Sequence, residues 1–188
     1  MDCIIGIADD ILNDCAISPK GGIERDAIIL NRADIATISY DDANSTQVEE
    51  ITLASGKHGY KLRGFKNSNN AGHSLVVNDV SPDSYKQTVT LQAWGIDGDT
   101  VATLDDLADL VIITENKNKG VNGNGAFEIY GLETGLYKNA DDRMVADNQG
   151  IQTVTLSTRD GEDASVSRHI FFDTDYATTK AMFEALLV

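Results

Sequence analysis

Between residues 85 and 94 the chain alternates: Val89, Leu91 and Ala93 are apolar, while Thr88, Thr90 and Gln92 are polar. Period two is the mark of a strand with one buried face, because successive side chains point to opposite sides of the backbone. A chain with such a segment must pair it in a sheet and cover its apolar face. Similar short runs recur at 27–30, 35–40, 48–53, 59–66, 74–80, 126–132, 152–157 and 166–172, separated by turn residues. The spacing predicts two hairpins. One joins 48–53 to 59–66 around Ser55-Gly56-Lys57, and the other joins 74–80 to 85–94 around Ser81-Pro82-Asp83-Ser84. Asn31-Arg32-Ala33-Asp34 reads as a turn or bulge.

Helical spacing enters twice. Thr103 followed by Asp106 resembles an N-cap with an acidic third residue, and Leu104, Leu107, Ala108 and Val111 recur on one face. This predicts a helix near 103–111, running into Ile112-Ile113-Thr114. A second helix is predicted near 174–187, burying Met182, Phe183, Leu186 and Leu187. Residues 1–25, broken by Ser18-Pro19-Lys20-Gly21-Gly22, read as an extended N-terminal arm or loop. Residues 115–125 read as a polar, Gly/Asn-rich, flexible loop tip. The fold class that follows is mainly β: an antiparallel β-sandwich or barrel with one or two flanking α-helices, formed by residues 26–188 as a single domain.

The chain has 188 residues, enough to bury roughly 70% of the surface its unfolded form exposes. No stretch reaches the ~20 apolar residues of a membrane span, and Met1-Asp2-Cys3-Ile4 shows no basic region ahead of an apolar one. The expectation is a soluble protein made in the cytosol, with no membrane partner. It carries 30 acidic and 15 basic residues, a formal net charge of −15. Such a surface repels phosphate, which argues against binding nucleic acid through a basic patch. Solubility accounts for the charge; so does a surface that must pass DNA without sticking. The charge is uneven: counted from the sequence, residues 95–188 hold 17 acids and 7 bases, against 13 and 8 in residues 1–94.

Chemistry-bearing patterns are weak. His58, His73 and His169 are scattered, with no zinc spacing. Ser167 and His169 fall on one strand face but lack a nucleophile elbow. Gly120, Gly123 and Gly125 lead into a strand rather than a helix, so no helix dipole is available to receive a pyrophosphate. Asp97-Gly98-Asp99 and Asp105-Asp106 suit a helix start as well as calcium. The pairs Asp9-Asp10 and Asp141-Asp142 are too commonplace to argue for carboxylate catalysis. Cys3 and Cys15 fit free thiols, with a bridge as the alternative. The expectation is no enzyme, with no catalytic, cofactor-binding or metal-binding residues and no cofactor.

Residues 127–136 (Phe-Glu-Ile-Tyr-Gly-Leu-Glu-Thr-Gly-Leu) resemble the strand-turn signature of bacteriophage tail tube (major tail) proteins, of the kind found in phages of Bacteroidota-type hosts. Residues 147–151, the run Val154-Thr155-Leu156-Ser157, residues 172–179, Cys15, Gly21-Gly22-Ile23 and residues 29–35 are similar in spacing to that group. The resemblance implies a tail tube type β-sandwich or barrel with a flanking helix. It also implies a virion structural protein whose homohexameric rings stack into an acidic-lined conduit for DNA ejection. The implied partners are other copies of itself and other tail proteins, with DNA passing the lumen unbound. The implied location is the virion tail, assembled in the bacterial host cytoplasm. On that reading residues 1–25 and 115–125 are natural contacts between rings, ordering on assembly. Two alternatives stand beside it. One is another phage tail, neck or contractile injection inner-tube component. The other is a monomeric ligand- or carbohydrate-binding β-domain, which calls for an exposed aromatic platform; Trp94, the sole tryptophan, is expected in a buried-type strand.

Overall fold

A computed structural model describes residues 20–65, 68–95, 97–147 and 149–188. The expected arm over residues 1–19, with Cys3, Cys15 and Asp9-Asp10, lies outside the described residues. Among those described, the chain forms β1 (Ile23–Asn31), a 3-10 turn (Arg32–Asp34), β2 (Ile35–Tyr40), β3 (Gln47–Leu53), β4 (Tyr60–Arg63), β5 (Asn70–Val76) and β6 (Ser84–Ala93). Then follow α1 (Gly98–Asp105), β7 (Leu110–Asn116), β8 (Phe127–Tyr130), β9 (Tyr137–Asp142), β10 (Gln152–Ser157), β11 (His169–Phe171) and α2 (Tyr176–Ala185). The protein is mainly β, and its strands form two sheets. Sheet A has seven strands in the order β2-β3-β11-β8-β7-β1-β4, and sheet B has four in the order β5-β6-β10-β9.

Alternation explains how the layers stack. Val89 and Leu91 of β6 and Val154 and Leu156 of β10 are buried on the inner face of sheet B, against Ala27, Leu110, Ile112 and Tyr130 of sheet A. The neighbouring residues Ile28, Leu30, Val111, Ile113, Phe127 and Ile129 point to the other face of sheet A and meet Phe183 of α2 and Leu186 just after it. Sheet A therefore lies between α2 and sheet B. The central strand β7 is buried over six consecutive residues, Leu110 to Glu115, as expected of a strand covered on both faces. The expected pairing of the 74–80 and 85–94 segments stands, with Val76 opposite Ser84, but the first strand lies earlier, at Asn70–Val76, and residues 77–83 form the turn.

Four expectations need correction. The helix predicted near 103–111 starts earlier, because the Asp97 carboxylate accepts from the Thr100 backbone N–H (2.9 Å) and hydroxyl (2.8 Å) and caps α1 there. Thr103 caps nothing; its hydroxyl donates back to the Asp99 carbonyl. Asp109, at φ +52°, then reverses the chain, so Val111 belongs to β7. The apparent helical period had merged the end of a helix with a doubly buried strand.

The hairpin between 48–53 and 59–66 does not form. Gly56 (φ +77°) closes the turn, but Gly59 then donates to the Leu186 carbonyl at the end of α2 (2.6 Å). That contact carries the chain away from β3, and β4 pairs with β1 instead. β1 begins at Ile23, inside the expected arm. Finally, β11 is only three residues long, so Ser167 lies in a bend before it rather than on a strand face shared with His169.

Candidate assembly surface

The outer face of sheet B has no cover among the described residues. Register places its side chains in rows: Asn70 beside Thr90 and Thr155, Gly72 beside Thr88, and Gln92 beside Thr153 and Asp142. The threonines of these rows are half-buried, as small residues on a flat face are. β-Branched threonine favours this pleated conformation while leaving a hydroxyl in water. Lys86 stands on the same face opposite Ser74, and its ammonium is held by Asp160 at 2.5 Å.

Among the described residues both edges of sheet B are open: β5 pairs only with β6, and β9 only with β10. β5 carries no carboxylate or ammonium group, whereas β9 ends in exposed Asp141 and Asp142. Lys138 of β9 reaches Asp141 at 3.2 Å and Asp105 of α1 at 3.4 Å. The sequence had not marked β9, since Tyr-Lys-Asn-Ala-Asp-Asp shows no apolar alternation. A two-glycine turn sets its position. Gly131 (φ +82°) and Gly135 (φ +77°) both adopt the left-handed region, and Gly135 N–H donates to the Gly131 carbonyl at 2.9 Å. This turn hands the chain from sheet A to sheet B. Asp109 fastens it, accepting from Arg32 Nε (2.7 Å) and the Tyr137 hydroxyl (3.1 Å).

Trp94 corrects another expectation. It is 55% exposed at the end of β6, with its ring centroid 5.0 Å from that of Phe65, itself 48% exposed. Strand parity could have placed it, because Val89, Leu91 and Ala93 take the inward positions and leave Trp94 on the other side.

The 115–125 segment is fastened rather than a free tip. Glu115 is buried and accepts from Lys119 Nζ (2.5 Å), Lys180 Nζ (2.6 Å) and the Tyr176 hydroxyl (2.6 Å). Burial alone would raise its pKa, but these three hydrogen bonds outweigh it and hold the carboxyl below the ordinary carboxylate range. The Tyr176 hydroxyl is pushed up to about 12, first by its bond to Glu115. Asn122 and Gly123 lie against the start of α2: Tyr176 N–H donates to the Asn122 carbonyl (3.1 Å), and a Cβ on Gly123 would clash with the Tyr176 side chain.

The other sequence candidates stay apart. His58 lies beside Tyr60 and His73 beside Tyr85, both exposed. His169 is buried in β11, with Nε2 3.9 Å from Glu133 and Nδ1 without a hydrogen-bond partner. Gly120, Gly123 and Gly125 lead into β8, a strand. Asp97 serves as a helix cap, and Asp105 as a partner of Lys138. Among the described residues no group of three or more His, Cys, Asp or Glu side chains is placed to hold a metal ion, and no helix is long and apolar enough to cross a membrane. Compared with protein-family models, curated proteins and solved structures, the chain matches none.

Proposed function

We propose that this chain is a non-catalytic structural subunit of the phage tail tube kind, whose copies join side by side through the open edges of sheet B into rings. The observation that carries the reading is the direction of the four strands. Each is antiparallel to its neighbour, so β5 and β9 run opposite to one another. Laying β9 of one copy beside β5 of the next therefore continues the sheet as antiparallel pairing. Such a head-to-tail contact is heterologous and closes when rotation brings the last copy back to the first. Six copies is the number the resemblance implies.

On this reading the threonine face of sheet B turns toward the lumen. It offers DNA hydroxyls rather than cations, and its Lys86 is already paired with Asp160. The exposed acids Asp97, Asp99, Asp105 and Asp106 gather around α1, just beyond β6. Repulsion of phosphates would come from that rim more than from the wall, acting over a Debye length of about 8 Å. The protein would then belong to the virion tail, assembled in the host cytoplasm with other tail proteins. A neck or contractile injection inner-tube component would share the edge pairing and differ in ring height and stacking. The exposed Phe65–Trp94 pair favours a second reading, a monomeric ligand- or carbohydrate-binding β-domain.

The test replaces both Ser74 and Leu75 of β5 with Glu, setting two carboxylates on the uncharged edge that must pair with the acidic β9 of the next copy. Both positions are exposed, so monomer stability should change by less than about 0.5 kcal/mol per substitution. Light scattering and negative-stain microscopy should show rings or tubes for the parent chain and monomers for the variant. A parent chain that stays monomeric at high concentration, or a variant that assembles as before, sinks the reading.

A further inference from the structure

Sheet B ends differently at its two ends. Where β6 and β9 finish, apolar side chains come to the surface: Trp94 is 55% exposed, Met144 56% and Val145 69%. Trp94, Arg143, Val145, Gln149, Gly150 and Ile151 line a cleft of ≈ 350 Å³ there. At the opposite end the β5–β6 turn runs Val77-Asn78-Asp79-Val80-Ser81-Pro82-Asp83, and Val80 at its tip is 99% exposed. The turn is braced from within. Asn78 N–H donates to Asp83 Oδ1 (3.0 Å), and Asn78 Nδ2 donates to the Pro82 carbonyl (3.1 Å) and the Ser84 hydroxyl (3.2 Å). A braced turn loses little freedom on docking. The ten residues of β6 set the two ends roughly 30 Å apart, so one molecule cannot join its own ends.

We propose that the Trp94 cleft receives the 77–83 turn of a second copy, end to end along the strands, with Val80 seated against Trp94 and Val145. At the contact itself charge favours this occupant: Arg143 is the charged side chain lining the cleft and Asp79 adjoins Val80, while the acids of α1 lie outside the lining. The contact joins two different surfaces at opposite ends of the strands, so with copies set end to end it propagates as a stack where no rotation closes it. It also runs along the strands, across the direction of β5–β9 edge pairing, so one molecule can make both. Singly the contact is small; when rings stack, all their copies engage at once and the affinities multiply. The inference rests on the self-assembly reading only in taking a second copy as the occupant. It also moves the contact between rings from 115–125, which is fastened to α2, to the two ends of sheet B.

Trp94 is the only tryptophan in the chain, so its emission reports the contact directly. As the intact protein is concentrated, the emission should move to shorter wavelength as the indole leaves water. Val80→Asp, a change at a fully exposed position that leaves the fold intact, should abolish the shift or raise its midpoint concentration at least about tenfold, a loss of ~1.4 kcal/mol. Asp79→Arg and Arg143→Asp should each weaken the shift, and together restore it. Light scattering on the same samples separates the two ideas. Rings of higher mass with unshifted Trp94 emission overturn the end-to-end contact and leave edge pairing standing. A Val80-dependent shift in species that never close into rings supports the contact and removes the ring. An undiminished shift in Val80→Asp, or a shift produced by an oligosaccharide at monomer mass, overturns the proposal.

Discussion

Sheets A and B use strands of similar length in opposite surroundings. β7 of sheet A is buried on both faces, and β1 and β8 beside it pack against α2 on one side and sheet B on the other. Sheet B covers one face with Val89, Leu91, Val154 and Leu156 and leaves the other to threonines, with two edges unpaired among the described residues. Burial of apolar area at roughly 25 cal/mol per Å² sets where folding free energy resides, and it resides in sheet A. Edge N–H and C=O groups set where another chain can add, and both sheets end in such edges, β2 and β4 in sheet A and β5 and β9 in sheet B. The separation lies in the faces: the centre of sheet A is covered on both, while sheet B leaves one to solvent among the described residues.

That separation breaks first if a change between the sheets costs no more than one on the open face. Gly131 sits at the handover from sheet A to sheet B. Its φ is +82°, its N–H donates to the buried Gln87 Oε1 at 2.6 Å, and a Cβ there would press into the Leu110 carbonyl oxygen. Gly131→Ala should therefore cost about 3 kcal/mol or more, combining a left-handed backbone with a steric collision. Thr90→Ala, in the middle of the open face, should cost less than about 0.5 kcal/mol. Urea unfolding midpoints of the two variants measure the contrast, and similar losses would dissolve it.

A smaller effect is expected where sheet A ties down its own loop. Glu115→Gln removes the charge that gathers Lys119, Lys180 and Tyr176. The lysine side chains are 30% and 29% exposed, so solvent recovers part of the loss, and the cost should be about 1–2 kcal/mol. Because the folded pKa of Glu115 is lowered, its contribution is full above the ordinary carboxylate range and fades as pH falls through the folded value. The variant should therefore lose part of the acid limb of the stability curve. Hydrogen exchange should quicken at the Asn124 and Gly125 amides, which bond within the loop, and stay unchanged in β10. Equal acceleration in both would mean that the clamp serves the whole fold.

The same division decides what the sequence could tell. β6 and β10 were legible because one covered face produces alternation, and alternation survives without knowledge of any partner. β7 was not, because cover on both faces gives Leu-Val-Ile-Ile-Thr a continuous apolar run that joined Leu104 and Leu107 into a false helical period. β9 left no trace, since an edge strand of polar residues has nothing periodic to show. Ser55-Gly56-Lys57 announced a reversal but not its partner: β4 went to β1 because the end of α2 takes the Gly59 amide. The parallel contact of β11 with β3 joins residues more than a hundred positions apart, which no local pattern encodes. The candidate assembly surface was half-readable. The threonine face and the outward side of Trp94 follow from parity, whereas the open edges depend on which strands end up outermost.

The least expected effect lies inside sheet A, at His169. Its ring is buried in β11, Nδ1 has no hydrogen-bond partner, and Nε2 stands 3.9 Å from Glu133. Burial lowers its pKa, and Glu133 offsets only part of that. In the unfolded chain the imidazole takes up a proton near pH ~6.5, while in the folded chain it stays neutral to lower pH. Across that window the unfolded state binds more protons, so the His169 contribution is full above the ordinary histidine pKa and is lost as pH falls toward the folded value. The slope cannot exceed about 1.4 kcal/mol per pH unit. Urea midpoints at neutral and mildly acidic pH should show this slope in the parent chain and a flatter one in His169→Gln. If stability instead rose on acidification and the variant abolished the rise, Glu133 would be holding a protonated His169 as an ion pair. The interior of sheet A would then tolerate charge as the open face of sheet B does, and the contrast between the two sheets would be one of geometry alone.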